Sequence, residues 1–502
     1  MPPYSTEQSI LEGNIEVKEL FQYVQKNAKS FDAYKMEQGI FEKVMRIGLA
    51  AMKCYFAKKG TGDVGDILEL NDGIKMHRQG QLRSRKYFSV FGKIDVPRTY
   101  YYAKGQKGVF PLDASTNLPE HCYSYLLQEW MNLCSIRDSF DESKVTLSSI
   151  LGVDISQSSF EKINRESAEN YNEFYKNKAI PALQEEGDIQ VLQFDGKGVP
   201  MIKSEAAKIK SRLGKGEKRQ KKKEATVGID YTVDQNIRTP EQVAESLIYP
   251  EKTKKKREES EDQPPRISAK SIRRIASLER TKAEVMEEIV NDAKRRDPDY
   301  KRPWVVVMDG ALCLWTSIAL VLSGIQWTGI IDIIHVVEYL WKVGNALHGE
   351  KTQKSKKWVY DHLLSILQGR TGRVIGGLKQ TLKKRKKQLS KTQKKAINAV
   401  ITYFDNHKEW MKYNEYLKEG YPIGSGVVES TCGHTVKNRM EGTGRRWSIK
   451  GAESMLLLRS VYTSNDWEKY LCDHRHREGQ KMYGKIYNTL GYPDDYNMEN
   501  AA

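Results

Sequence analysis

Three carboxylates stand out for the residues around them. Asp195 lies in QFDGKGVPM and Asp309 in WVVVMDG, and in both a run of strand-forming apolar residues ends in Asp-Gly. Glu429 lies in PIGSGVVES, where Ser425 and Gly426 open a helix and put the glutamate in its first turn. Carboxylates held at the carboxyl ends of strands can bind a hard divalent cation. Mg2+ takes oxygen ligands and keeps several waters, so two or three carboxylates suffice. Each has a plainer explanation too. Asp-Gly favours a turn on its own account, and the helix dipole favours a glutamate in a first turn. Glu429 differs in the cationic string that follows at once: Lys437, Arg439, Arg445, Arg446 and Lys450. Metal ligands at a reacting phosphate with cations along the backbone are what phosphodiester chemistry needs.

Asp332, His335 and Glu338 fall in DIIHVVE, and helical spacing puts residues three apart on one face. They form either a metal cluster or a polar set buttressing a strand-to-helix junction, and the second is the simpler reading. Trp447 follows Arg445-Arg446; it either stacks on or wedges between bases, or anchors its loop to the core. The six cysteines form no CxxC pair, so reduced thiols and no zinc site are expected.

The elements that must position these residues are legible in outline. Residues 1–82 read as a helical region and 83–122 as a small β-rich module, in which KYFSVFGKIDVPRTYYYA has the grammar of a hairpin turning at Gly92. In 123–180, Val145, Leu147, Ile150 and Leu151 read as one apolar face, Gly152 as a helix stop and Ser156 as the next N-cap. Phe160 and Ile163 then continue the apolar face, completing a helix-turn-helix pattern at about 139–168 that any helical hairpin would share. Residues 181–344 read as an α/β core with a basic insertion at 203–270. Its expected parts are a strand ending at Asp195-Gly196, a strand in EATVGIDYTVD, an amphipathic helix over 270–295, a strand ending at Asp309 and a strand in WTGIIDIIHV. Residues 345–420 read as a basic helical insertion: 351–396 hold fifteen Lys or Arg and one acidic residue, with Lys383, Lys384, Arg385, Lys386 and Lys387 in one block. Residues 421–473 read as the Glu429 helix and a C-terminal core, and 474–502 as a polar, poorly ordered tail.

The charge balance points the same way. A net charge of +17 over 502 residues calls for a polyanionic partner. No export signal is expected at the start. The uncharged stretch from Ala311 to Ile331 has spanning length, but Ser323, Gly324 and Gln326 break it into a buried helix and a buried strand, so no membrane association is expected.

Taken together, PIGSGVVESTCGHTVKNRMEGTGRRWSIKGAESMLLLRS, VVVMDGALCLW followed by DIIHVVEYLW, and QFDGKGVPM resemble the three catalytic blocks of the ISKra-type insertion-sequence transposases, a bacterial and archaeal family. ATVGIDYTVDQNIRTPEQ, KIDVPRTYYY and GVFPLDASTNLP extend the resemblance over about residues 85–470. Glu441 and Arg445 depart from the residues that family often carries. The resemblance implies an α/β, ribonuclease-H-like catalytic domain, a mixed sheet flanked by helices with a helical insertion before the glutamate, behind an N-terminal α+β DNA-binding region. It implies Asp195, Asp309 and Glu429 as catalytic and metal-binding residues, with Asp332 and His335 supporting. Two Mg2+ ions, replaceable by Mn2+, would serve cleavage at insertion-sequence ends and strand transfer. The expected partners are double-stranded DNA, as terminal inverted repeats and target, and a second copy or more of the chain, in a nucleoid-associated, cytoplasmic setting. The alternatives are another ribonuclease-H-like nuclease of the junction-resolvase type, or a transposon-derived DNA-binding protein without activity.

Overall fold

The structure is a computed structural model that describes residues 4–209, 221–251, 253, 268–442, 444–491 and 493. It divides into two compact units, Met1–Lys178 with Asp466–Ala502, and Ala179–Asn465.

In the first unit, the helices Thr6–Asn27 and Ala33–Lys59 form a hairpin. Strands appear earlier than the sequence suggests: β1 (Ile67–Glu69), β2 (Lys75–Arg78) and β5 (Tyr101–Tyr102) make an antiparallel sheet, and β3 (Arg83–Ser89) and β4 (Gly92–Arg98) the expected hairpin. Gly92 takes φ +132°, which explains a glycine there. The helix-turn-helix elements are present as Phe140–Leu151 and Gln157–Ser167. Gly152 is left-handed at φ +66°, and the Ser156 hydroxyl accepts from Ser159 N. Leu147, Phe160 and Ile163 are buried with Leu127 and Met131. Val145 and Ile150, expected on that face, are exposed. At 100° per residue Val145 lies across the helix from Leu147, so the four could not share one stripe.

The expected polar tail is instead the helix Trp467–Leu490, which buries Tyr470, Leu471, Ile486 and Tyr487 within the first unit. Its tyrosine hydroxyls find acceptors, Tyr483 at Leu118 O (2.6 Å) and Tyr487 at Asn117 Oδ1 (3.2 Å). Their polar atoms disguise a core helix as a polar tail. Residues 494–502 lie outside the described residues.

The second unit is built on a five-stranded mixed sheet of β6 (Ile189–Pro200), β7 (Lys222–Val233), β8 (Lys270–Ser277), β9 (Trp304–Met308) and β10 (Thr328–Ile331), in the order β10-β9-β6-β7-β8. β6 pairs antiparallel with β7, and β7 with β8; β6–β9 and β9–β10 are parallel. Three expectations need correction. β6 does not end at Asp195-Gly196. It runs on to Pro200, because β7 continues opposite it to Lys222 after β9 has left. Residues 270–277 are a strand, and the helix spans only Lys282–Arg296, opened by a capping box of Thr281 and Glu284. β7 is an inner strand of the sheet, so 203–270 is no simple insertion; its lysine-rich parts at 210–220 and 254–267 lie outside the described residues.

Lys282–Arg296 packs on the sheet through Val285, Met286, Ile289 and Val290. It can lie close because β7 carries Gly228, where a Cβ would come within 2.9 Å of Ile289. The outer edge of β8 is covered by the helix Ile449–Thr463: Ala276 N donates to Ser460 Oγ (3.0 Å) and Leu278 N to Glu453 Oε2 (2.6 Å), which removes an exposed strand edge. The helix Leu312–Val321 precedes β10 in the expected order, but it is not the buried helix expected: Leu314, Trp315 and Ile318 are buried while Leu312 and Leu320 are exposed. Among the described residues no helix is long and apolar enough to cross a membrane. The helices Gln353–Leu367, Thr371–Lys384 and Lys391–His407 make up the basic helical segment before Glu429.

Candidate metal centre

The parallel strands set the level of the site. Gln193 pairs with Val307, so Asp195 and Asp309, each two residues further on, reach the same height on adjacent strands. Ile331 pairs with Met308, so Asp332 follows β10 level with Asp309, and its N–H donates to Met308 O (2.9 Å). Three aspartates therefore stand in a row across β6, β9 and β10.

Their surroundings separate them. Asp195 is half-buried; its Oδ1 accepts from Gly196 N (2.6 Å) and its Oδ2 from Cys432 Sγ (3.1 Å). Asp309 is half-buried, and its Oδ1 accepts from Ala311 N (3.0 Å). Asp332 is fully buried. Its Oδ1 accepts from Ile334 N and Ser425 N, both at 3.0 Å, and its Oδ2 from Ser425 Oγ (2.6 Å) and His335 Nδ1 (2.9 Å). Burial opposes its ionisation, but those bonds outweigh burial and hold the carboxyl below its usual range.

Glu429 is exposed on the helix Gly426–Thr431, in the first turn as expected. Two clamps position that helix. Gln193, fully buried in β6, accepts from Val428 N (3.0 Å) and donates to Gly424 O (3.2 Å). Ser425 is tied to Asp332, and its hydroxyl also reaches Glu429 Oε1 (3.3 Å). The chain continues as a π-helical turn, Cys432–Lys437, which brings Cys432 onto Asp195. Burial first, then the Asp195 carboxylate, push the Cys432 thiol far up, so it stays a donor.

Among the described residues, the group whose possible ligand atoms lie within 4.8 Å of one another is Asp332, His335 and Glu429. Chemistry argues against it as the cation site. Asp332 has spent its roughly four acceptor positions. The hydrogen bond to Asp332, opposed by burial and supported by the charges of Asp332, Glu338 and Asp309, raises His335 to about 9, so without a metal it is a cation at neutral pH, and a metal would have to displace that proton to bind its ring. This fits the buttress reading. Asp195, Asp309 and Glu429 are the solvent-reaching carboxylates, an all-oxygen set of the kind Mg2+ takes. Glu429 is turned toward Ser425 and the Asp332–His335 pair, so the three are not drawn together as tightly as that group.

The His335 charge is measurable. A histidine whose folded pKa is raised contributes stability in full below about 6.5, its unfolded value, and loses it as pH rises toward about 9. In NMR titration of the metal-free protein, His335 should change charge near that upper value. Asp332→Asn should bring the midpoint down; an unchanged midpoint would remove Asp332 as the cause.

The expected DNA-binding residues divide. Lys383, Lys384, Arg385, Lys386 and Lys387 are exposed at the end of Thr371–Lys384 and just after it, and Lys437, Arg446 and Lys450 are exposed as well. Arg445 is half-buried, donating to Arg439 O (3.0 Å). Arg439 and Trp447 are corrections. Arg439 is buried with its guanidinium 4.6 Å from the Trp447 ring centre. Trp447 is buried too: its indole donates to Met440 O (3.1 Å) and its backbone bonds Pro200 and Ile202 beyond the end of β6. Trp447 thus sits as the anchor of its loop, since a ring 7% exposed with Arg439 against it offers a base no open face. Sequence reasoning missed Gln193 and Cys432 and gave Ser425 only as a helix opener. Gln193 left a weak signal, as one of two amides in the buried run IQVLQF.

No protein-family model matches the chain, and no curated protein is significantly similar to it.

Proposed function

We propose that this chain is a DNA transposase of the Asp-Asp-Glu type, a metal-dependent polynucleotidyl transferase on a ribonuclease-H-like domain. The observation that carries the reading is the equal height of Asp195 and Asp309 on adjacent parallel strands, with the Glu429 helix clamped to the same strand through Gln193. The mixed five-stranded sheet flanked by helices supports it, as does the resemblance of all three carboxylate blocks to the ISKra-type transposases.

Asp195, Asp309 and Glu429 would hold two Mg2+ ions. Bound there, Mg2+ supplies Lewis acidity to the attacking water or DNA 3′-hydroxyl and to the leaving oxygen of an in-line displacement at phosphorus. The protein's own part is positional and electrostatic. Gln193 fixes the Glu429 helix on β6. Ser425, Asp332 and His335 hold its start. Lys437, Arg446 and Lys450 neutralise phosphates, and the 383–387 block grips the backbone without reading sequence. The helix-turn-helix pair would recognise terminal inverted repeats, and two copies would bring two ends together.

The test is incubation of the full chain with DNA bearing the element's ends, in Mg2+ and in EDTA. Mg2+-dependent nicks at the ends followed by joined products are expected. Nicks without joining would indicate a nuclease of the junction-resolvase type, and binding without cleavage a DNA-binding protein. In the same assay, replacing Lys383, Lys384, Lys386 and Lys387 with alanine should weaken binding on every sequence. It should also flatten the plot of log affinity against log salt by as much as about 0.9 for each phosphate no longer neutralised. An unchanged slope would remove that block from the interface.

A further inference from the structure

The extension of β6 past Asp195 carries a further cation, Lys197. Side chains two apart on a strand share a face, at a spacing of about 6.6 Å. Gln193 and Asp195 face the Glu429 helix and the π-helical turn, where they meet Val428 N and Cys432 Sγ. Lys197 is the next residue on that face. Gly196 and Gly198 point to the other side of the sheet, where a Cβ on the first would meet the Glu224 side chain at 2.8 Å and one on the second the Lys222 side chain at 3.0 Å. The Cys432 thiol bears this out: burial and Asp195 push it up, and the Lys197 charge pulls against them, so the ammonium lies near the thiol that is bonded to Asp195.

Two features separate Lys197 from an ordinary surface lysine. It is half-buried, yet among the described residues it has neither an ion-pair nor a hydrogen-bond partner. A charge drawn out of water is costly unless it is paired, and the missing partner is an anion. Asp195 does not fill that role, since its two oxygens accept from Gly196 N and Cys432 Sγ. The second feature is an opening beside it. β9 pairs with β6 only as far as Gln193, and the backbone of Trp447 takes up that edge of β6 only from Pro200. Among the described residues no strand covers the edge between them. The gap begins at Asp195 and ends beside the exposed Arg446, so a phosphodiester strand entering it would run from the carboxylates past Lys197 to a second cation.

We propose that Lys197 is a further catalytic residue, whose ammonium binds a non-bridging oxygen of the scissile phosphate. The inference rests on the transposase reading. In-line displacement spreads negative charge over the non-bridging oxygens, and an ammonium already held there by a strand stabilises it without reorganising. Lys197 neither gives nor takes a proton while the attacking oxygen bonds to phosphorus and the leaving oxygen departs. Single-turnover cleavage of DNA bearing the element's ends tests it. Lys197→Gln should cut the rate by about a hundredfold and change end binding by less than about threefold, with unchanged circular dichroism. Lys197→Arg should keep most of the rate. A neutral methylphosphonate at the scissile position, in one of its two configurations, should slow the wild type far more than Lys197→Gln, because both changes remove the same contact. Losses that simply multiply, or a Lys197→Gln protein that cleaves at the wild-type rate while Asp309→Asn does not cleave, would overturn the inference and leave the transposase reading standing. A wild type that cleaves nothing in Mg2+ would overturn that reading and this inference with it.

Discussion

Asp309→Asn should abolish DNA cleavage and joining while leaving the fold and end binding in place. The amide keeps the size of the carboxylate, and its oxygen can still accept from Ala311 N, the bond that Asp309 Oδ1 makes at the end of β9. The lost negative charge is what a divalent cation needs. A fall in rate of roughly three orders of magnitude or more is expected, with stability changed by less than about 1 kcal/mol. Single-turnover cleavage of end-labelled DNA, beside a gel-shift on the same DNA, measures both. Asp332→Asn is the informative contrast. That carboxylate holds Ser425 and His335 and has no free acceptor position, so its loss should lower activity through a displaced Glu429 and disturb the fold as well. If Asp309→Asn cleaves normally, the assignment of the three carboxylates fails.

Arg296→Met should be the most destabilising single change in the second unit. Arg296 is buried at the end of Lys282–Arg296 and gives Nε and Nη2 to Glu186 (2.8 and 2.7 Å) and Nη1 to Asp230 (2.9 Å). Thr232 Oγ1 adds a bond to Glu186 (2.6 Å), and Gln190 one to Asp230. This network ties β6, β7 and the helix behind them below the row of aspartates. Burial pushes the Asp230 carboxyl up, against the pull of Arg296 and with the added push of Asp292 and Glu186. Removing the guanidinium leaves two buried carboxylates with no counter-charge, a loss of about 3–5 kcal/mol. In the variant Asp230, raised by burial and without its guanidinium, holds its proton more tightly folded than unfolded, so the folded state gains on the unfolded one as pH falls. Urea unfolding at pH 5 and pH 8 should show the smaller deficit at the lower pH. A deficit below about 1 kcal/mol at both would mean that the network contributes little.

The parts of the site that follow local rules were legible. An apolar run closed by Asp-Gly marked Asp309 correctly as the end of a strand, and Gly-Ser-Gly before an apolar pair marked the start of the Glu429 helix. Asp195-Gly196 obeyed the same rule and misled, because the partner strand β7 decides where β6 stops, and pairing across sequence is invisible locally. The segment KSIRRIAS has apolar spacing that suits a helix face, yet it forms β8. An edge beside β7 was open to it, and Ser460 and Ser464, nearly two hundred residues away, hydrogen-bond its N–H groups. Arg439 and Trp447 looked like DNA-binding residues because cations surround them; only burial showed that they stack on each other. The bonds that fix the Glu429 helix, from Gln193 to Val428 and from Ser425 to Asp332, are long-range contacts, and a glutamine in a strand buried on both faces and a serine at a helix start were their only traces.

The most direct test of the central claim is to locate Mn2+ by its anomalous scattering in crystals of the full chain. The expected result is Mn2+ bound by the carboxylates of Asp195 and Asp309, with Glu429 released from Ser425 to join them and His335 still paired with Asp332. Mn2+ held instead by Asp332, His335 and Glu429, or no ion on Asp195 and Asp309, would contradict it.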